Sequence, residues 1–272
     1  MLKTRVITAL FLIPSFFAAL FLLPSLAWAS LLLGISLIAL YEWAQMIKLG
    51  KLATSVYLSA TLLMGIMILW FTNQLGSHWL VYRSLDLFIM ASVFWMLAVP
   101  FLLHKNKRIK FQSINVLVGW LLVMPLWLAL VCLKIADPWL LLGLTATIWI
   151  ADSAAYFAGK QFGKHKLAPT ISPGKTWEGV LGGLLLVTLY GYTLATYFAL
   201  PILVTLIVLW VMAILSVIGD LFESMIKRQS NLKDSGNILP GHGGILDRID
   251  GMTSSLPIAV LMIFIYSLLH AA

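Results

Sequence analysis

Apolar runs long enough to cross a lipid bilayer recur from one end of this chain to the other. A bilayer core offers backbone N–H and C=O groups no water, so such runs are stable only as helices that close their own hydrogen bonds. Hydrophobic residues make up 61% of the 272, charged residues 10%, and the mean hydropathy is +1.00. Soluble domains carry roughly a quarter charged residues, so this chain has too few to cover a water-facing surface. The expected fold is an all-α integral membrane protein, a polytopic bundle forming a single membrane domain over residues 1–272.

Hydropathy marks nine spans: Val6–Leu23, Leu26–Ala44, Ser55–Phe71, Leu85–Leu103, Ile114–Leu133, Trp139–Phe157, Gly179–Ala199, Ile202–Phe222 and Thr253–His270. The links after the first, fifth and seventh are short enough for helical hairpins. With the N-terminus cytoplasmic, all but Arg83 and Lys134 of the 18 Lys and Arg residues fall on the cytoplasmic side, as positive-inside topology requires. Nine crossings then put the C-terminus in the periplasm. The net charge of +8 is explained by topology, and nucleic acid is not an expected partner. Ala27-Trp28-Ala29 before Ser30 resembles a signal-peptide cleavage site, but the run before it is long enough to span and a second span follows at once. An uncleaved first helix is expected. Cys132, the lone cysteine, reads as a small apolar residue inside a helix.

Seven of the ten acidic residues lie in the second half, on or near the cytoplasmic face: Asp152, Glu178, Asp220, Glu223, Asp234, Asp247 and Asp250. Residues 1–110 therefore read as scaffold helices and 111–272 as the catalytic helices and loops. One segment, 216–251, places Asp220 near the end of an apolar span, where an unpaired carboxylate is costly. Asp220, Glu223 and Lys227 share a helical face. A loop with Gly236, Pro240, Gly241, Gly243 and Gly244 follows and ends in Asp247-Arg248-Ile249-Asp250. Carboxylates from separated elements suit a hard cation such as Mg²⁺, and the neighbouring Lys and Arg suit phosphates. The competing reading is a solvated helix end whose charges pair locally.

The second segment, 152–179, starts at Asp152, placed at the cytoplasmic end of the sixth span. A basic loop with Lys160, Lys164, His165 and Lys166 follows, then Ser172-Pro173-Gly174-Lys175-Thr176. Gly-Lys-Thr is not a P-loop here, because Pro169 stands where that motif needs its first glycine and no strand precedes it. Gly179 and Gly183 form a small-xxx-small pair suited to close helix packing, within the chain in preference to across a dimer.

The stretch from Ser224 to Asp250, with Lys227-Arg228, Lys233-Asp234, Gly236, His242-Gly243-Gly244 and Asp247-Arg248-x-Asp250, resembles the signature of the phosphatidate cytidylyltransferase (CDP-diacylglycerol synthase) family. The 152–179 stretch, with Ser172-Pro173-Gly174-Lys175-Thr176-Trp177-Glu178-Gly179, is similar to that family too. The resemblance implies a Mg²⁺-dependent reaction of CTP with phosphatidic acid to give CDP-diacylglycerol and pyrophosphate, at a cytoplasm-facing site in a bacterial inner membrane. Under it, Asp220 and Asp247 hold the metal, with Asp250 beside them; a second cation and a homodimer are further expectations. Lys227, Arg228 and Arg248 bind phosphates, and Lys233 belongs to the same substrate-binding set. The loop with His242, Gly243 and Gly244 closes over the nucleotide. Ser172, Lys175, Thr176 and Glu178 complete the site, oriented by Asp152. Rival readings are weaker. A CDP-alcohol phosphotransferase shows regularly spaced aspartates and a polyprenyl-phosphate sugar transferase an adjacent aspartate pair, and neither pattern is present. A transporter places its ionisable residues near mid-membrane.

Overall fold

The structure, a computed structural model, describes residues 2–241 and 243–270, apart from the side chains of residues 2–7 and 9. Nine long helices follow in order: α1 (Leu2–Leu22), α2 (Ser25–Met46), α3 (Lys51–Leu75), α4 (Ser77–Lys105), α5 (Gln112–Ala136), α6 (Pro138–Phe162), α7 (Trp177–Tyr197), α8 (Ile202–Gln229) and α9 (Leu246–His270). From α2 to α9 all are long and apolar enough to cross a bilayer, and α1 contributes the apolar stretch Leu10–Leu22. Between α6 and α7 lies a small antiparallel hairpin of β1 (Lys166–Ala168) and β2 (Ser172–Thr176).

Links of one or a few residues make sequential neighbours antiparallel: Leu23-Pro24 after α1, Gly76 after α3 and Asp137 after α5. Gly76 turns with φ +88°, a conformation that costs a residue with a Cβ. Asp137 caps α6 by accepting from Trp139 N at 2.9 Å, with Pro138 at the first helical position, where no N–H is missed. Helix α4 widens to a π-turn over Phe94–Ala98; Pro100, two residues on, has no N–H to give.

The core runs through the whole chain. Leu20 and Trp28 from the N-terminal helices, Trp127 from α5, Leu144 from α6, Val187 from α7, Leu209 from α8 and Leu256 from α9 are buried in one cluster. Helices α6 and α7 pack backbone to backbone. A Cβ on Gly183 would sit 3.0 Å from the Ala151 carbonyl oxygen, and one on Gly179 2.8 Å from that of Ala155. The small-residue seam thus works inside the chain, as its sequence position suggests.

Three expectations need correction. Asp152 is not at a helix end, because α6 continues through Lys160 to Phe162. The Asp247-Arg248-Ile249-Asp250 run is not loop; it forms the first turn of α9. Ser172 to Thr176 form a strand paired with Lys166–Ala168, where no strand was expected before Gly174-Lys175-Thr176. In each case the helix or strand carries on into polar sequence, since backbone hydrogen bonds do not require lipid around them.

Lys134 is not simply a charge on the far side either. It is 7% exposed, and its Nζ donates to the carbonyls of Leu23 at 2.6 Å and Ala19 at 3.3 Å. Carbonyls at a helix C-terminus lack helical donors; Lys134 supplies one to Leu23, just past α1, and a second to Ala19, which also accepts from Leu23 N at 3.4 Å, while lying 4.9 Å from the Trp28 ring centroid, within cation–π range. Lys134→Met is expected to destabilise the fold by roughly 1–3 kcal/mol, the usual loss for orphaned buried acceptors. Thermal unfolding in detergent would read this as a lower midpoint, and an unchanged midpoint would remove Lys134 from that capping role.

Candidate active site

Asp220, Glu223 and Lys227 rise along one face of the last turns of α8, and α9 approaches that face closely. Where the two helices meet, a Cβ on Gly219 would stand 2.5 Å from the Asp250 carbonyl oxygen. Lys227 Nζ lies 3.1 Å from Glu223 Oε2, one turn earlier on α8, and the approach of α9 brings it within 2.5 Å of Asp247 Oδ1. Glu223 is 4% exposed and Lys227 8%, which overturns the reading of this helix end as a solvated one. The other oxygen of Asp247 accepts from Ser235 N, Ser235 Oγ and Gly244 N, each at 2.9 Å. The turn that delivers Gly244 passes through Gly243 at φ +80°.

The hairpin reaches the same place from the other segment. Lys175 on β2 pairs with Asp220 Oδ2 at 2.6 Å and donates to the Val217 carbonyl at 3.4 Å. Ser224 Oγ donates to the second Asp220 oxygen at 3.2 Å. Asp152, on α6, lies in the electrostatic range of both Lys175 and Asp220, and Asp250 in that of Asp220 and Glu223. Asp250 Oδ1 also accepts from Gly251 N at 2.7 Å. The two segments, far apart in sequence, therefore share one site.

Other expected site residues take different places. Thr176 is buried and caps α7, accepting from Gly179 N at 3.1 Å. Glu178 turns back to the base of the hairpin, 2.6 Å from His165 Nδ1. Ser172 is half-buried at the start of β2. Lys227, expected on substrate phosphate, is enclosed by two carboxylates. Arg228, Lys233 and Arg248 are exposed; Arg228 donates to the Leu232 carbonyl at 3.2 Å, and none of the three is in an ion pair among the described residues. His242 lies outside the described residues. Two participants escaped the sequence reading: Ser235, which carried no signal, and Glu42 on α2, whose signal was a carboxylate inside an apolar span.

The donor chemistry suits a hard cation. Asp152, Asp220, Glu223, Asp247 and Asp250 share the site with only Lys175 and Lys227 in ion pairs. Glu223 Oε1 is buried with no donor among the described residues, and its carboxylate lies within hydrogen-bonding reach of that of Asp250, a pair of acceptors that a cation would satisfy. Among the described residues no three carboxylate, histidine or cysteine side chains converge as a ready ligand set, and lysines pair with Asp220 and Asp247.

Helices of spanning length, with buried charge gathered at one end of α8 and α9, define an integral membrane enzyme. Residues 3–266 match the profile of the cytidylyltransferase family, and the chain belongs to that family. It is similar to a phosphatidate cytidylyltransferase of Haemophilus influenzae, 36% identical over 279 residues that cover 94% of this chain and 96% of the relative. A phosphatidate cytidylyltransferase of Pseudomonas aeruginosa is 36% identical over 273 residues, 97% of each chain. One from Bacillus subtilis is 43% identical over 122 residues, 44% of this chain and 45% of the relative.

Proposed function

We propose that this chain transfers the cytidylyl group of CTP to phosphatidic acid, forming CDP-diacylglycerol and releasing pyrophosphate. The observation that carries the reading is the convergence of the two motif segments, joined by the Lys175–Asp220 pair. The likeness to phosphatidate cytidylyltransferases along nearly the whole chain supports it.

In the reaction a phosphate oxygen of phosphatidate bonds to the α-phosphorus of CTP. The bond from that phosphorus to the oxygen bridging the β-phosphorus breaks, and pyrophosphate leaves with the electron pair. A phosphate monoester is already anionic near neutral pH, so no strong general base is required. The work is to hold two anions in line and offset their charge. Arg228, Lys233 and Arg248, exposed and in no ion pair among the described residues, suit that task as phosphate ligands. Lys175 and Lys227 keep Asp220 and Asp247 in register. A divalent cation such as Mg²⁺, when bound, would neutralise charge on the triphosphate; Asp220 would hold it with Asp250, which lies in its electrostatic range, while Asp247, its oxygens engaged, would fix the glycine loop. The site end is assigned to the cytoplasmic face of a bacterial inner membrane, following the positive-inside pattern of the Lys and Arg. CTP then arrives from the cytosol and phosphatidate from the adjoining leaflet.

Purified protein in detergent, given phosphatidic acid, Mg²⁺ and CTP labelled at the α-phosphate, is expected to move label into the chloroform phase. Transfer should require both phosphatidate and the divalent ion. Folded protein that transfers no label across a range of divalent ions and detergents would overturn the proposal.

A further inference from the structure

Glu42 belongs to α2, in the part of the chain that reads as scaffold, yet its carboxylate lies against the site. It is 2% exposed and has no Lys, Arg or His within ion-pair distance among the described residues. Its oxygens accept three hydrogen bonds: from Ile245 N at 3.0 Å, Leu246 N at 2.8 Å and Ser235 Oγ at 3.2 Å. Two of these donors are the backbone N–H groups at the start of α9, which no helical carbonyl can satisfy. A local side chain usually performs that capping. Here the preceding residues are Gly243, Gly244 and Ile245, and none carries a side-chain oxygen. The cap comes instead from a helix about two hundred residues earlier in the chain.

Two glycines make room for it. A Cβ on Gly236 would stand 2.5 Å from Glu42 Oε1, and one on Gly244 2.5 Å from Oε2. The carboxylate therefore touches both the middle and the far end of the loop that joins α8 to α9. It also reaches the reaction centre through one intermediary. Ser235 Oγ lies 3.2 Å from Glu42 Oε2 and 2.9 Å from Asp247 Oδ2, and Asp247 in turn holds Lys227. A hydroxyl has one proton to donate, so Ser235 shares it between the two carboxylates. An uncompensated buried carboxylate is costly, and an apolar side chain would fill the same space at lower cost. The positive end of the α9 dipole offsets part of that cost.

We propose that Glu42 is a positioning residue of the active site, fixing the first turn of α9 and the glycine loop so that Asp247 and Asp250 are held in their working places. The inference rests on the cytidylyltransferase reading of the site. Glu42→Gln keeps the shape but turns an amide NH₂ toward donors, whereas Glu42→Asp keeps the charge and shortens the reach. Displacing catalytic groups by about an ångström costs on the order of 10²-fold in rate, and removing outer supports of a ligand set roughly 10–100-fold.

The test is the labelled-CTP assay on Glu42→Gln, Glu42→Asp, Ser235→Ala and the Glu42→Gln/Ser235→Ala double variant, well below each unfolding midpoint. Glu42→Gln is expected to lose roughly 10–100-fold in kcat with KM for CTP changed far less. Glu42→Asp should recover part of the loss. The double variant should be little worse than Glu42→Gln alone, since coupled residues are not additive. A lowered unfolding midpoint with unchanged kcat per folded protein would overturn the proposal, as would losses that multiply in the double variant. Should Glu42→Gln fail to fold, Ser235→Ala decides: unchanged kcat there overturns it. A silent wild-type protein would overturn the cytidylyltransferase reading itself, whereas an active wild type with an equally active Glu42→Gln overturns the role of Glu42 alone.

Discussion

Lys227→Met is expected to cut turnover and lower the unfolding midpoint together. Among the described residues, Lys227 is the one cation paired with Glu223 and Asp247, whose side chains are each only 5% exposed. Methionine fills much the same volume, so packing survives while the two carboxylates face each other uncompensated. Removing one partner from a buried ion pair costs about 3–5 kcal/mol, and here a single ammonium serves two. Asp247 would also lose its register against α8, and with it the loop held by Ser235 and Gly244. We expect kcat to fall by about 10²–10³-fold, the scale of a lost preorganised charge. Adding Glu223→Gln should restore most of the stability and none of the activity. If Lys227→Met kept both its midpoint and its kcat, the lysine would be a bystander.

Asp220→Asn should separate the two effects. Its side chain is 38% exposed, so losing its charge leaves Lys175 free to meet water and costs little stability. The change also relieves repulsion with Asp152 and Asp250, which lie in its electrostatic range. Turnover, by contrast, is expected to drop by about 10³-fold, with the Mg²⁺ titration moved to higher concentration in whatever activity remains. Near-normal turnover of Asp220→Asn at saturating Mg²⁺ would remove Asp220 from the cation site. The pair of variants therefore forms a contrast: one carboxylate neighbourhood held for stability and chemistry at once, the other for chemistry alone.

The bundle was legible because lipid imposes a simple rule on every span, and the helices fall where hydropathy places them. Their ends were not. Hydropathy reports where apolar side chains stop, so it closed the eighth span at Phe222 and opened the ninth at Thr253, while the helices run to Gln229 and begin at Leu246. Those extra turns carry Glu223, Lys227, Asp247 and Asp250. The β-hairpin was missed because its strands are short and β2 contains Pro173 and Gly174, which ordinarily mark turns. Lys175 and Asp220 were both singled out, yet only the folded chain shows that they pair. Glu42 stayed hidden for a different reason: its partners lie 193 to 204 residues away, beyond any periodicity. Lys134 looked like one more loop charge because a capped carbonyl leaves no mark in sequence.

The order in which these groups occur along the chain bears on how the protein is made. Helix α8 enters the membrane with Glu223 and Lys227 one turn apart and already matched, so the translocon is offered a locally neutral pair. Asp220 follows Lys175, whose hairpin has emerged by then. Asp247 and Asp250 come last, on the final helix, and Glu42 waits from near the beginning for the N–H groups that this helix brings. Until the ninth helix is seated, a nascent chain therefore lacks the second carboxylate that holds Lys227 and the N–H groups that satisfy Glu42.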